Sequence, residues 1–151
     1  MEISSLIKPL FENFKNPIVS MLAVSTVETI YMVFLSTIFS LLLGFPIGVL
    51  LVITKEDGIY EMKKFNAVLG VIINALRSFP FIILMILLFP LSRFVVGSTI
   101  GATAAVVPLS IGATPFVARI VEGALLEVDP GLVEASQSMG ASNSTIIFKV
   151  M

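Results

Sequence analysis

The chain has 151 residues, 57% of them hydrophobic and 13% charged, with a net charge of -1 and a mean hydropathy of +1.07. That composition excludes an ordinary soluble domain and leaves room for one membrane domain and little else. It contains no Cys and no His, so no disulfide framework, thiol chemistry, cofactor or metal site is expected; an enzyme is not expected, and without a basic stripe neither is a nucleic-acid partner.

Residues 1–25 place Leu6, Leu10 and Phe14, with Ile7, Phe11 and Ile18 beside them, at helical spacing, and Lys8, Glu12 and Lys15 on the other side. This pattern predicts an amphipathic helix at the membrane interface or on the outer face. A cleaved signal peptide is the competing reading, but charges are scattered through the apolar residues and no small-residue cleavage site ends the stretch.

The expected membrane region covers 26–123, with spans at about 26–54, 66–91 and 95–120. No charge occurs from Thr29 to Thr54, enough to cross a bilayer that needs about 20 apolar residues. Gly44, Pro46 and Gly48 predict a bent span, through a kink with close packing or through a gating hinge. Lys55 to Lys64 is a charged loop. Arg77 then interrupts an apolar stretch whose halves are each too short to cross, so one helix from about Asn66 to Leu91 is expected, with Arg77 near the bilayer middle. An Arg there must face the bundle, water or a carboxylate. Pro80 cannot donate to the carbonyl of Leu76, which leaves an acceptor near the guanidinium. Arg77 and Pro80 are therefore candidates for a polar lock or for part of a translocation path.

Pro90 and Ser92-Arg93 are expected to close this span with a short turn. Phe94 to Ala118 is the third charge-free run, where Gly101 and Ala105 form a small-xxx-small pair suited to close helix approach. Gly97-Ser98-Thr99-Ile100-Gly101 has the glycines of a phosphate loop but not its Gly-Lys-Ser/Thr ending, and nucleotide binding there is not expected. Arg119 and Glu122, three apart, can pair at the exit; an exposed pair contributes only about 0.3–0.5 kcal/mol.

Residues 124–151 are too polar for lipid. Asp129 can cap a helix, Pro130 suits its first position and Gly140 a left-handed stop. Leu132, Ala135, Ser136 and Met139 fall on one face of that helix. About three turns are marginal in water without a partner, and small Ala and Ser let one come close. Ser142 can cap a second helix whose apolar face starts with Ile146, Ile147 and Val150.

Glu134-Ala135-Ser136 with Gly140 six residues after the glutamate resembles the E-A-A-x3-G-x9-I-x-L-P loop of ABC-importer permeases. Ser136 replaces the second alanine, Val150 stands at the isoleucine position, and the Leu-Pro pair would come after Met151. Arg77-Ser78-Phe79-Pro80-Phe81 and Gly112-Ala113-Thr114-Pro115-Phe116-Val117-Ala118-Arg119 are similar to the methionine-importer branch. The resemblance implies an all-α polytopic membrane bundle with a cytoplasmic coupling helix, holding three of five expected spans, in the bacterial inner membrane. It also implies that the chain is cut before the next span.

By the same resemblance Glu134, Ala135, Ser136, Met139, Gly140 and Ala141 meet an ATP-binding cassette ATPase, present in two copies. Glu134 is expected to bond the ATPase groove or nearby amides. A second permease copy would complete a homodimer, and an extracytoplasmic substrate-binding protein or lipoprotein would deliver the substrate. That substrate is methionine or another amino acid or small polar solute; a passive channel or membrane scaffold is the reading of a different class. An odd number of spans puts Lys55, Lys63, Lys64, Arg119 and Lys149 on the loop side and Lys8, Lys15 and Arg93 on the other. The excess favours a cytoplasmic loop and an outside amino terminus under the positive-inside rule.

Overall fold

The computed structural model describes residues 3–11 and 17–150. These form seven helices and no strand: α1 Ile3–Phe11, α2 Pro17–Ile53, α3 Lys63–Ser78, α4 Phe81–Val96, α5 Ala102–Leu126, α6 Pro130–Ser138 and α7 Asn143–Lys149. By length and composition α2 and α5 can each cross a membrane, and α3 with α4 would supply a third crossing if the pair forms one broken span.

Of the amino-terminal 25 residues the structure describes Ile3–Phe11 as α1 and the residues from Pro17 on as part of α2. In α1, Ile7 is buried while Leu6 points outward. Glu12, Phe14 and Lys15 lie outside the described residues. α2 then continues for 37 residues through Gly44, Pro46 and Gly48. At 1.5 Å per residue that is about 55 Å, well beyond a hydrocarbon core of about 30 Å.

The expected single helix from 66 to 91 is two helices. α3 ends at Ser78 because Pro80 forces Phe79 away from helical geometry. Pro80 is not inside a helix at all. It is the N-cap of α4, at φ -56 and ψ 127, and its carbonyl accepts from Ile83 N at 2.9 Å and Leu84 N at 3.2 Å. Pro80 therefore does not strand the carbonyl of Leu76 inside a continuous helix. Nor does Pro90 end the next helix: α4 runs through it to Val96, and Gly97, at φ 84, makes the stop by donating to Arg93 O at 2.9 Å. Gly101, at φ 108, precedes α5, so it does not pair with Ala105 on a helix face.

Two compact units divide the chain, residues 1–42 with 77–114 and residues 43–76 with 115–151. The first is cored by small side chains. Ser36, Ser40, Ser110 and Thr114 are buried, and each hydroxyl donates to a carbonyl of its own helix three or four residues back, at 2.6 to 2.9 Å. A hydroxyl satisfied in this way can sit in an apolar interior and still let helices approach. At Gly112 a Cβ would come within 2.7 Å of the Phe81 ring, so the glycine sets the α4–α5 spacing.

In the second unit the end of α2 is clasped by the loop after it and by the start of α3. The last carbonyls of a helix lack intrahelical partners. Here Leu50 O accepts from Thr54 N and Oγ1, Leu51 O from Asn66 Nδ2 at 2.6 Å, Ile53 O from Tyr60 N, and Thr54 O from Met62 N. Asn66 also donates to Thr54 Oγ1 at 3.0 Å, which fastens the start of α3 to the end of α2. On the surface of this loop Lys63 binds Glu56 at 2.6 Å and Glu61 at 3.3 Å. Those bonds, Glu56 first, hold its ammonium above the usual lysine range. On the other side α2 meets α5: a Cβ on Gly48 would lie 2.6 Å from Ala118 O and 2.7 Å from Val121 Cβ. Of the Gly44–Gly48 cluster, Gly48 thus serves close packing.

Candidate functional site

α6 starts as its sequence dictates. Asp129 caps it through Oδ1, which accepts from Gly131 N at 2.8 Å, and Pro130 comes next, in the first helical turn. Its end is a complete Schellman motif. Gly140 takes φ 79, its N–H donates to Gln137 O at 2.9 Å, and Ala141 N donates to Ser136 O at 3.0 Å. Nothing lies within 4 Å of a Cβ built on Gly140, so backbone conformation alone asks for glycine. Ser142 then caps α7, accepting from Thr145 N at 3.3 Å, and Ile146 is buried and anchors the turn.

α6 has no buried residue. Ser136 and Ser138 satisfy their hydroxyls on Leu132 O and Glu134 O of the same helix. Of the face predicted from spacing, Leu132 is 57% and Met139 81% exposed, and Ala135 between them is exposed too; Ser136 is half-buried. Phe148 on α7 is 83% exposed. Leu132, Ala135 and Met139 thus make an apolar, small-centred face that no described residue covers. The opposite side of α6 looks into a cavity of ≈ 590 Å³, with Val133, Ile53, Ile59 and Leu125 on its apolar wall and Lys55, Asp57, Glu134 and Gln137 as its polar groups. Glu134 therefore points away from the apolar face and toward the α2–α3 loop. Among the described residues no group of three or more acidic side chains gathers as metal ligands would.

Arg77 is placed elsewhere. It is exposed, in the last turn of α3 beside the break at Phe79–Pro80, where a cation suits the negative end of the helix dipole. Sequence reasoning undervalued a different arginine. Arg119 is 23% and its partner Glu122 17% exposed, with Nη1 to Oε2 at 2.6 Å, so the pair is half-buried rather than solvated. Arg119 Nη2 also reaches α3, donating to Asn74 Oδ1 at 2.8 Å and Gly70 O at 3.3 Å. The signal available in the sequence was Gly70 and Asn74, one helical turn apart, but nothing in it said that they face α5.

An all-α chain with membrane-length apolar helices and one polar helix–turn–helix belongs, as a class, with membrane-embedded proteins. Residues 44–151 match the family described as "Binding-protein-dependent transport system inner membrane component", and the chain belongs to that family. It is 52% identical over 129 residues to "Probable D-methionine transport system permease protein MetI" of Pasteurella multocida (strain Pm70), covering 85% of this chain and 59% of that protein. It is 50% identical over 131 residues to the protein of the same name from Vibrio cholerae (87% and 58% covered). Identity to "D-methionine transport system permease protein MetI" of Escherichia coli K12 is 47% over 124 residues (82% and 57% covered). Two crystal forms of the "MetNI methionine ABC transporter" in inward-facing conformations superpose with TM-scores of 0.86 and 0.87 at 44% identity, covering 91% of this chain and 63% of theirs. The chain thus spans a little under two thirds of the length of these relatives.

Proposed function

We propose that this chain is a membrane-spanning permease subunit of an ATP-driven importer for an amino acid, methionine first. The substrate is carried over from the names of the relatives, and nothing in the apolar helices reads a thioether. Two copies would line the pathway, two ATPase subunits would bind below, and a substrate-binding protein would deliver ligand from outside. With α3 and α4 counted as one broken span, the crossings are odd in number, and the excess of Lys and Arg on the α6 side favours a cytoplasmic α6 and an outside amino terminus.

The observation that carries the reading is α6 itself: capped at both ends, with Leu132, Ala135 and Met139 uncovered. A rigid apolar face on a polar element is what an ATPase groove can seat. ATP-driven closure of the two ATPases moves the paired helices, and the spans alternate between inward and outward openings. Population shift requires the groove to hold α6 differently in the two states. Glu134 lines the cavity behind that face, on the side of α6 away from the groove. Arg77, a cation beside a broken helix, belongs to the translocation path under this reading, since irregular backbone at membrane depth is tolerated where it lines a cavity.

Gly140→Asp tests the coupling helix. Insertion is expected to remain normal, with ATPase attachment or uptake lost. Full uptake by that variant, or a wild-type subunit that never retains a nucleotide-hydrolysing partner through purification, overturns the reading. The second outcome would leave a passive channel. For Arg77, uptake by Arg77→Gln equal to wild type at every substrate concentration would remove it from the path.

A further inference from the structure

α5 is gripped twice within one turn. On one side Ala118 and Val121 close on Gly48 of α2, where a single added carbon would meet Ala118 O at 2.6 Å. On the other, Arg119 takes hold of α3 through Gly70 O and Asn74 Oδ1 while bound to Glu122 at 2.6 Å. Gly70 and Asn74 lie one turn apart on one face of α3, and the same nitrogen, Nη2, donates to both. Eight residues beyond Arg119 comes Glu127, then the Asp129 cap, then α6. By contrast α6 has no buried side chain and stands over an open cavity of ≈ 590 Å³. The stiff connection lies above the coupling helix and the yielding one behind it.

The guanidinium is held on both terminal nitrogens, Nη1 by Glu122 of its own helix and Nη2 by α3. Arg119 Nε is buried and bonded to no described group.

We propose that Arg119 is a positioning residue for transport: it forces α3 to move with the α5–α6 segment, so that displacement of the coupling helix reaches the broken α3–α4 pair. This rests on the importer reading above. Without the fork, α6 would shift into the cavity behind it and the stroke would be absorbed there.

The test uses the complex of the permease with its ATPase in proteoliposomes, with methionine uptake and ATP hydrolysis measured in the same sample. One variant is Asn74→Ala, which removes a single acceptor from an exposed position. The other is the double substitution Arg119→Met with Glu122→Met, which strands neither charge. Both are expected to assemble and to hydrolyse ATP within about twofold of wild type, while methionine moved per ATP falls about tenfold in the double variant and less in Asn74→Ala. Arg119→Lys, a point charge without the fork, should be intermediate. An unchanged ratio in both variants overturns the proposal. So does a loss confined to the amount of assembled complex with a normal ratio in what remains, which is the mark of a brace. Failure of the importer reading would show earlier, in wild-type complexes that neither bind an ATPase nor move methionine, and would remove this proposal with it.

Discussion

Adding one methyl group at Gly48 should separate two helices that the fold holds together. A Cβ there would lie 2.6 Å from Ala118 O, 2.7 Å from Val121 Cβ and 2.8 Å from Val121 Cγ1. The nearest atom is a backbone carbonyl fixed by the ladder of α5, and the next is a Cβ, so no side-chain rotation relieves the clash. Overpacking of this kind costs about 1–3 kcal/mol, while alanine for glycine inside a helix returns about 1 kcal/mol. The balance is a loss of up to about 2 kcal/mol, or about 4–8 °C in midpoint for a chain of this size. Gly123→Ala is the control: it lies in the same helix as the clash, nothing stands within 4 Å of its added carbon, and it should gain up to about 1 kcal/mol. The cysteine-free sequence allows a direct assay. Ser92 is buried, so a Ser92→Cys thiol should react with a maleimide dye only as the chain opens, and its labelling midpoint on heating in mild detergent reports stability. Gly48→Ala must melt below its parent and Gly123→Ala at or above it. If Gly48→Ala melts no lower, α2 and α5 are not in the contact described.

The clasp at the end of α2 and the stop at the end of α6 give two further expectations. Asn66→Ala leaves Leu51 O without its only described side-chain donor and should cost about 1–3 kcal/mol in the same thiol assay. Asn66→Asp should be worse, because a carboxylate would face that carbonyl; equal midpoints for the two would refute the bond. At Gly140 the left-handed backbone alone sets the penalty, so Gly140→Ala should cost about 1–2 kcal/mol. Gly140→Asn should cost less, and amide exchange at Ala141 and Ser142 should be fastest in Gly140→Ala, intermediate in Gly140→Asn and slowest in the parent.

Helix caps were legible in the sequence because they depend on a few neighbouring residues. Asp129, Pro130, Gly140 and Ser142 all act where their spacing put them. So was the apolar face of α6, since a period of 3.6 fixes it whatever lies beyond. Breaks in the membrane region were harder to place. Pro46 and Pro80 were expected within helices and Pro90 at a closing turn, yet α2 and α4 continue through the first and last while the chain breaks at the second. What distinguishes Pro80 is that it comes after the last turn of α3, and nothing local announces that. Loop and bridge contacts were hardest. Asn66 bonding Leu51 O and Arg119 reaching Gly70 and Asn74 connect residues 15 to 49 apart, which no periodicity encodes.

The two kinds of contact around α5 also answer different physical demands. Gly48 against Ala118 is apolar and close, and it resists separation without specifying direction, because dispersion and packing are non-directional. Arg119 is directional: its Nη2 must keep Gly70 O and Asn74 Oδ1 at hydrogen-bond distance, so sliding of α3 along α5 by one residue, about 1.5 Å, would break both bonds. A helix pair held only by small residues could slip in that direction when its end is pulled. Held by both, it transmits a pull along its axis as well as across it. The break at Phe79–Pro80 then sits where a transmitted displacement can be taken up by loop torsions instead of by rupture of a helix ladder.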